Sequence, residues 1–261
     1  MDNIKNKVAL ITGGASGLGL KYAEGLLQNG AKAVALLDFN TSIGEKSAAS
    51  LEKEFGKGKV IFVPCDVSNS QQMTDAFKKV WDTWNALDIV INNAGICNDK
   101  KWHQTINVNV GGVIHGTLLA IQYMNKQRGG KGGTVVNIAS IVSFRIYKEI
   151  PVYCASKHDV LAFSQCVEKF VDRTGVRVLV LCPGATTTNL FESFNQSLLD
   201  FLDESDAQNL IKDLPFQQPE IVQDAMMKLI QKGKNGAVWV IEENKPICSV
   251  EINYKLTEVK L

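Results

Sequence analysis

Tyr153 and Lys157 place a phenol and an ammonium four residues apart, in a stretch whose following apolar residues read as helix, with Ser140 thirteen positions upstream. On a helix that spacing brings both side chains to one face. A phenol is a poor base near neutrality because its ordinary pKa is about 10. A neighbouring permanent cation that favours the phenolate is what would let it take a proton from an alcohol. The same pair also decorates ordinary amphipathic helices, so its meaning depends on the rest of the chain.

The N-terminal stretch supplies that company. Val8-Ala9-Leu10-Ile11-Thr12 is an apolar run that empties into Gly13, Gly17 and Gly19 and then into a helical pattern. A strand, a tight turn and a helix start offer free backbone N–H groups to a phosphate. The spacing is G-x-x-x-G-x-G rather than the commoner G-x-G-x-x-G. Asp38 ends the next apolar run, twenty-five residues after Gly13. A carboxylate there accepts hydrogen bonds from an adenosine ribose and repels a 2′-phosphate, which selects NAD over NADP. Asp38 also suits a turn or cap before the helical stretch at Thr41.

Taken together, Thr12 to Gly19, Asp66-Val67, Asn92-Asn93-Ala94-Gly95, Asn109, Ser140, Tyr153-x-x-x-Lys157 and Pro183-Gly184 stand in the order and at the separations of the short-chain dehydrogenase/reductase family. The chain resembles that family over nearly its whole length. Within it, Met124 to Gly130, Pro151 to His158 and Asn235 to Trp239 look most like the NAD-dependent 15-hydroxyprostaglandin dehydrogenases and the insect-type alcohol dehydrogenases. The resemblance implies an enzyme with Asn109, Ser140, Tyr153 and Lys157 as catalytic residues. It implies that Gly13, Ser16, Gly17, Leu18 and Gly19 form the cofactor turn. Asp66 and Val67 are assigned to the adenine, and Asn92, Ala94 and Gly95 to the strand end beside the cofactor. Pro183, Gly184, Thr186 and Thr188 fall to the nicotinamide, and Lys157 also to its ribose. Asp66 suits a cap for the helix near Ser70 equally well. Asn109 would hold a water linking Lys157 to solvent, with Asn107 as the competing position. Ser140 would hold the substrate oxygen while Tyr153 takes its proton.

Composition agrees with such an enzyme. In 261 residues, 45% hydrophobic and 21% charged, the net charge is +1, so no basic field draws nucleic acid. Cysteines 65, 97, 154, 166, 182 and 248 form no C-x-x-C pair or metal-ligand spacing and read as reduced core thiols of a cytoplasmic protein. No metal is expected. Neither a secretory signal nor a membrane-spanning run is visible, and Val259-Lys260-Leu261 departs from the peroxisomal S-K-L address at its first residue.

Apolar runs near Val8–Thr12, Ala33–Asp38, Lys59–Pro64, Leu87–Ile91, Thr134–Ala139, Val176–Cys182 and Ala237–Ile241 predict seven strands of a mainly parallel sheet with helices on both faces. That is an α/β, Rossmann-like, doubly wound architecture in a single domain spanning 1–261. Helices are expected over Leu18–Asn29, Thr41–Phe55, Ser70–Asn85, Gln104–Gln127, Val152–Arg173 and Pro219–Lys232. Residues 186–215 carry Leu190, Phe191, Phe194, Leu198, Leu202 and Leu210 with no strand between them. They read as a helical substrate lid, or as a helical pair completing the core.

One position departs from the resembling group: Ile150 stands where those enzymes commonly carry a glutamine three residues before the tyrosine. With Phe144, Ile146 and Tyr147 near it, the mouth looks apolar, and Ile150 and Phe191 join Ser140 and Tyr153 as expected substrate contacts. The leading expectation is an NAD-dependent dehydrogenase of a secondary or lipophilic alcohol, working as a homodimer through the helices of Asn109 and Tyr153. A carbonyl reductase of a steroid, terpenoid or xenobiotic ketone is the enzymatic alternative. A catalytically silent NAD-binding redox sensor is the alternative of another class, and would have lost a catalytic side chain.

Overall fold

The computed structural model describes residues 4–191 and 194–252, apart from the Phe191 side chain. Its eight strands form one sheet in the order β3-β2-β1-β4-β5-β6-β7-β8. These are β1 (Val8–Thr12), β2 (Ala33–Asp38), β3 (Val60–Pro64), β4 (Ile89–Asn92), β5 (Gly133–Ile138), β6 (Val176–Pro183), β7 (Val238–Ile241) and β8 (Cys248–Val250). The first seven are parallel and β8 pairs antiparallel with β7. The sequence predicted seven strands; β8 escaped it because a three-residue edge segment, exposed at Cys248 and Ser249, has no buried face to impose a pattern.

Successive side chains on a strand point to opposite faces, and the core divides accordingly. Ala9, Ile11, Val34, Leu36, Ile89 and Ile91 pack on one face against α1 (Gly17–Gln28) and α9 (Pro219–Lys232). Val8, Leu10, Ala35, Leu37 and Val90 pack on the other against α3 (Ser70–Trp84) and α5 (Gly112–Met124). Burying such Leu, Ile and Val side chains contributes about 1.5–3 kcal/mol each before entropy is counted. The remaining helices are α2 (Thr41–Phe55), α4 (Trp102–Ile106), α6 (Pro151–Val167), α7 (Val171–Thr174) and α8 (Glu204–Asp213).

Two expected helices are interrupted. The stretch predicted as one helix over Gln104–Gln127 is α4, then a π turn at Asn107–Gly111, then α5. Inside that turn the Asn109 side chain bonds both backbone groups of Ile96, which the apolar periodicity does not register. The helix predicted to run to Arg173 ends at Val167, and α7 follows a single 3-10 turn. Residues 186–215 contain two short 3-10 turns and α8. Phe194, Leu198, Ala207 and Leu210 share one buried cluster with Ile150 and Tyr153, so the segment completes the core, and some of its residues line the cavity described below.

The direction of chain winding reverses between β1 and β4, and at such a switch point the carboxyl ends of the strands splay open. Register places Thr12 beside Leu37, Asn92 beside Asn137, Ile138 beside Leu181 and Pro183 beside Ile241. The residues expected to do chemistry therefore lie along one end of the sheet. Four of the six cysteines are buried there or in the core, but Cys166 and Cys248 are exposed, which corrects the core reading for those two. The terminal Val259-Lys260-Leu261 lies outside the described residues.

Candidate functional site

A cavity of about 710 Å³ opens at that end of the sheet, and its wall gathers most of the expected residues. Gly13, Ser16, Gly17 and Leu18 come from the β1–α1 turn, Asp38 from β2, Asp66 and Val67 from the end of β3, and Ala94 and Gly95 from the end of β4. Ser140, Ile150, Tyr153 and Lys157 come from β5 and α6, and Pro183, Gly184, Thr186 and Thr188 from the end of β6.

The glycine turn is built for backbone rather than side chain. Gly13 has φ +60 and Gly17 φ +51, and a Cβ on Gly13 would lie 2.9 Å from Ala94 Cα, so larger residues are strained and crowded there. Ser16 makes no side-chain cap to α1, and the first turn of α1 holds no acidic residue. The leading N–H groups of α1 and its positive dipole end are thus left to a ligand anion. Thr12 Oγ1 accepts from the N–H groups of Asn93 and Ala94 at 2.9 and 3.0 Å, tying this turn to the end of β4.

Asp38 is buried and accepts from Ala15 N at 3.1 Å and Asn40 N at 3.0 Å. A carboxylate has acceptor capacity for more than these two bonds. The cap of α2 is Asn40, which accepts from Ile43 N, so Asp38 is not that cap. Likewise Asn69 caps α3, while Asp66 accepts from Ser68. This removes the capping alternative for Asp66.

Three expected residues are held away from the cavity wall: Asn92, Asn109 and Gly19, which is buried in α1 where a Cβ would run into Gly13 O. The Asn92 side chain turns into the sheet and donates to Thr117 and Asn137; Asn93 takes the wall position instead. Asn109 is fully buried. Its amide donates to Ile96 O at 2.9 Å and Ser156 Oγ at 3.0 Å, and its Oδ1 accepts from Ile96 N. Since Ser156 Oγ donates to Tyr153 O, Asn109 ties the β4 loop to the Tyr153 helix. The contact expected of the Phe191 side chain falls outside the described residues.

Tyr153 and Lys157 share one face of α6, the Lys157 Nζ standing 5.7 Å from the centre of the Tyr153 ring. Ser140 and Tyr153 stand on the same wall, with Ser140 Oγ donating to Pro183 O and accepting from Val142 N. Lys157 Nζ donates to Ile138 O at 2.9 Å. Electrostatics differ from the expectation. Burial pushes the Tyr153 phenol above its ordinary value, with Cys97 adding to the rise and Ser140 opposing it. Burial also pushes Lys157 down, to about 8. Both charged forms are disfavoured by burial, and Lys157 is not among the groups that offset this for the phenol.

Several wall residues were not singled out from the sequence. Cys97, Gln104 and Val108 are among them, and Leu210 and Leu214 of the expected lid segment complete the cavity. Asp99 is buried, and it accepts from Val152 N at 2.7 Å and Tyr153 N at 3.0 Å. It caps α6 from more than fifty residues away. A signal did exist: Pro151 begins this helix and Ile150 before it makes no cap, so an acceptor had to come from elsewhere.

Residues 7–198 match the sequence pattern described as "short chain dehydrogenase". The chain belongs to that family. It is 38% identical to the 15-hydroxyprostaglandin dehydrogenase [NAD(+)] of Rattus norvegicus over 94% of either chain. It is equally similar to the human enzyme of that name, again at 38% over 94% of each. A solved short-chain type dehydrogenase/reductase from Mycobacterium marinum superposes with a TM-score of 0.80 at 24% identity, covering 92% of this chain and 96% of that one, which shows the shared fold. As a short-chain dehydrogenase the chain is an oxidoreductase that works with a nicotinamide cofactor. The uncapped α1 start, the glycine turn and the Asp38 carboxylate fit a dinucleotide. Among the described residues, no helix is long and apolar enough to cross a membrane.

Proposed function

We propose that the protein oxidises a lipophilic secondary alcohol with NAD, and that Tyr153 is the proton acceptor. The observation that carries this reading is the meeting of Ser140, Tyr153 and Lys157 on the wall that also holds Asp38. Bound against the α1 turn, NAD supplies the hydride acceptor. Ser140 Oγ hydrogen-bonds the substrate oxygen, and Tyr153 Oη takes its proton as hydride leaves the carbinol carbon. Lys157, within the same buried pair, favours the anionic phenol and binds the ribose hydroxyls. Asp38 receives the adenosine ribose and excludes a 2′-phosphate. Asn109 acts by holding the β4 loop against α6.

The substrate arm of the cavity carries Ile141, Val142, Ile150, Leu190, Leu210 and Leu214, which favours a hydrocarbon body. Relatives of this sequence are named for 15-hydroxyprostaglandin; Ile150, buried on this wall, supports a substrate that places hydrocarbon at that point. A homodimer through α5 and α6 belongs to the same reading, supported by exposed Leu118 on α5 and Phe170 just past α6. The six free cysteines support a reducing, cytoplasmic setting.

The test is NADH fluorescence with secondary fatty alcohols, sterols, terpenols and hydroxy fatty acids, each with NAD and with NADP. Turnover of at least one lipophilic alcohol, faster with NAD, is expected. Absence of NADH formation across the panel, in protein that binds NAD, overturns the reading.

A further inference from the structure

Gln217 stands between α8 and α9 and is fully buried, although Phe216 before it is 38% exposed and Gln218 after it is exposed. That inverts the order hydrophobicity would set, since an amide resists burial unless it is hydrogen-bonded. Its bonds account for the inversion. Gln217 N donates to Ala185 O at 2.9 Å, and Gln217 O accepts from Thr187 N at 3.0 Å. These two bonds make a parallel bridge to Thr186, thirty-one residues earlier in the chain. The side chain reaches further: Nε2 donates to Ile241 O at 2.9 Å and to Thr186 Oγ1 at 3.4 Å. Thr186 Oγ1 in turn donates to Gly184 O at 2.9 Å. Ile241 O also accepts from Gly184 N at 2.8 Å, so the end of β7 holds both the segment after β6 and the residue that clasps it.

The clasped segment faces the cavity. Gly184, Ala185, Thr186 and Thr188 line it, whereas Gln217 does not. Because backbone groups alternate in direction along an extended chain, the Thr186 N–H points away from Gln217, and it bonds no described residue. The Gln217 amide is also costly: its Oε1 is buried with no hydrogen-bond partner among the described residues, and a buried acceptor left unpaired destabilises the fold. An apolar side chain of the same length would avoid that cost. The amide therefore fixes geometry at the expense of stability.

We propose that Gln217 is a positioning residue for the nicotinamide end of the cofactor. It holds Gly184 to Thr188 against the end of β7, so that Thr186 presents its free N–H to the carboxamide oxygen of the ring. Gln217 itself touches no part of the cofactor. The clasp is made of bonds within the chain, so this part of the site is formed before any ligand arrives, and the binding free energy of the ring is not spent on ordering the segment. The proposal rests on the dehydrogenase reading for the placing of the nicotinamide beside Thr186.

The experiment compares NADH with ADP-ribose, which lacks only the nicotinamide ring. Dissociation constants for both are measured by calorimetry in the wild type, Gln217→Met and Gln217→Asn. The wild type is expected to bind NADH more tightly than ADP-ribose. Gln217→Met keeps the length of the side chain and removes both its donor and its orphaned acceptor, so its melting temperature is expected within about 4 °C of the wild type. Its affinity for NADH is expected to fall about tenfold while that for ADP-ribose stays within about twofold. Gln217→Asn keeps an amide but falls one methylene short of Ile241 O, and the same split is expected; it decides the matter should Gln217→Met not fold. A merely structural role would weaken both ligands alike. An NADH to ADP-ribose ratio within about twofold of wild type in the folded variant overturns the proposal, as does a wild type that binds the two equally, since the ring would then make no contact to position. Turnover is scored separately: a wild type that prefers NADH but oxidises no alcohol loses the dehydrogenase reading, and the binding ratio still decides the role of Gln217.

Discussion

The Asp99 carboxylate sits on the N-terminal end of the helix that carries Tyr153, accepting from the backbone N–H of Tyr153 itself at 3.0 Å and of Val152 at 2.7 Å. The loop after β4 thereby sets where the phenol stands. Burial raises the Asp99 pKa, and the two N–H bonds oppose that rise. Asp99→Ala leaves both donors unsatisfied in a buried site. The expected outcome is a loss of about 2–4 kcal/mol of stability in denaturant titration and a fall in kcat larger than the change in KM. Full retention of kcat would show that α6 holds its place without this cap.

Tyr153→Phe keeps the ring in its buried cluster and removes the acid/base oxygen. Turnover is expected to fall by about 10²-fold or more, while NAD affinity by fluorescence titration stays near that of the wild type. Near-normal turnover would move the proton acceptor elsewhere in the cavity.

Asp38→Ala combined with Phe39→Arg exchanges a repelling carboxylate for a phosphate partner. Phe39 is exposed, at 78%, so the new guanidinium meets no packed core. The kcat/KM ratio of NAD to NADP is expected to drop by at least about tenfold, roughly 1.4 kcal/mol. Unchanged preference would leave Asp38 with only its turn-stabilising bonds to Ala15 and Asn40.

Lys157 gives a pH prediction. Its folded pKa is lowered by burial, from 10.5 to about 8, so between those values the unfolded chain binds more protons and stability rises with pH. The penalty is complete below pH 8 and is relieved above 10.5. It amounts to about 3 kcal/mol at one pKa unit per 1.36 kcal/mol. Lys157→Met removes the penalty but leaves Ile138 O without its donor, so a net gain of about 1–2 kcal/mol is expected at pH 7. Chemical unfolding at pH 7 and pH 10 checks this: the gap between variant and wild type should shrink at the higher pH, and a constant gap would contradict it.

Fully buried strands are easy to read, because Val8–Thr12 and Ala33–Asp38 must be apolar on both faces. The turn glycines are legible for the same kind of reason: few residues tolerate φ +60 at Gly13. Long-range polar contacts are not legible in this way. Asp99 reaching α6, Asn109 reaching Ile96 and Arg145 reaching Glu242 join segments 53, 13 and 97 residues apart, and no local periodicity encodes them. Asn92 shows the converse. Its place in the N-N-A-G run suggests the cleft, but strand alternation sends it to the face where its amide donates to Thr117 and Asn137, and puts Asn93 on the wall. The Tyr153–Lys157 spacing reveals their shared face; their charge state follows from the depth of the cavity, which spacing does not report.

The position of β1 in the middle of the sheet has a consequence for how the protein is born. β2 and β3 can join one side of β1 early, but its other side waits for Ile89, Val90 and Ile91 to pair with Ala9, Leu10 and Ile11. Those partners are eighty residues apart along the chain. At about 5–20 residues per second the ribosome takes roughly 4–16 seconds to deliver them, and throughout that interval an apolar parallel strand shows an open row of N–H and C=O groups. Slower translation lengthens the exposure and lower temperature weakens apolar association, so both conditions act on this window rather than on the finished fold alone.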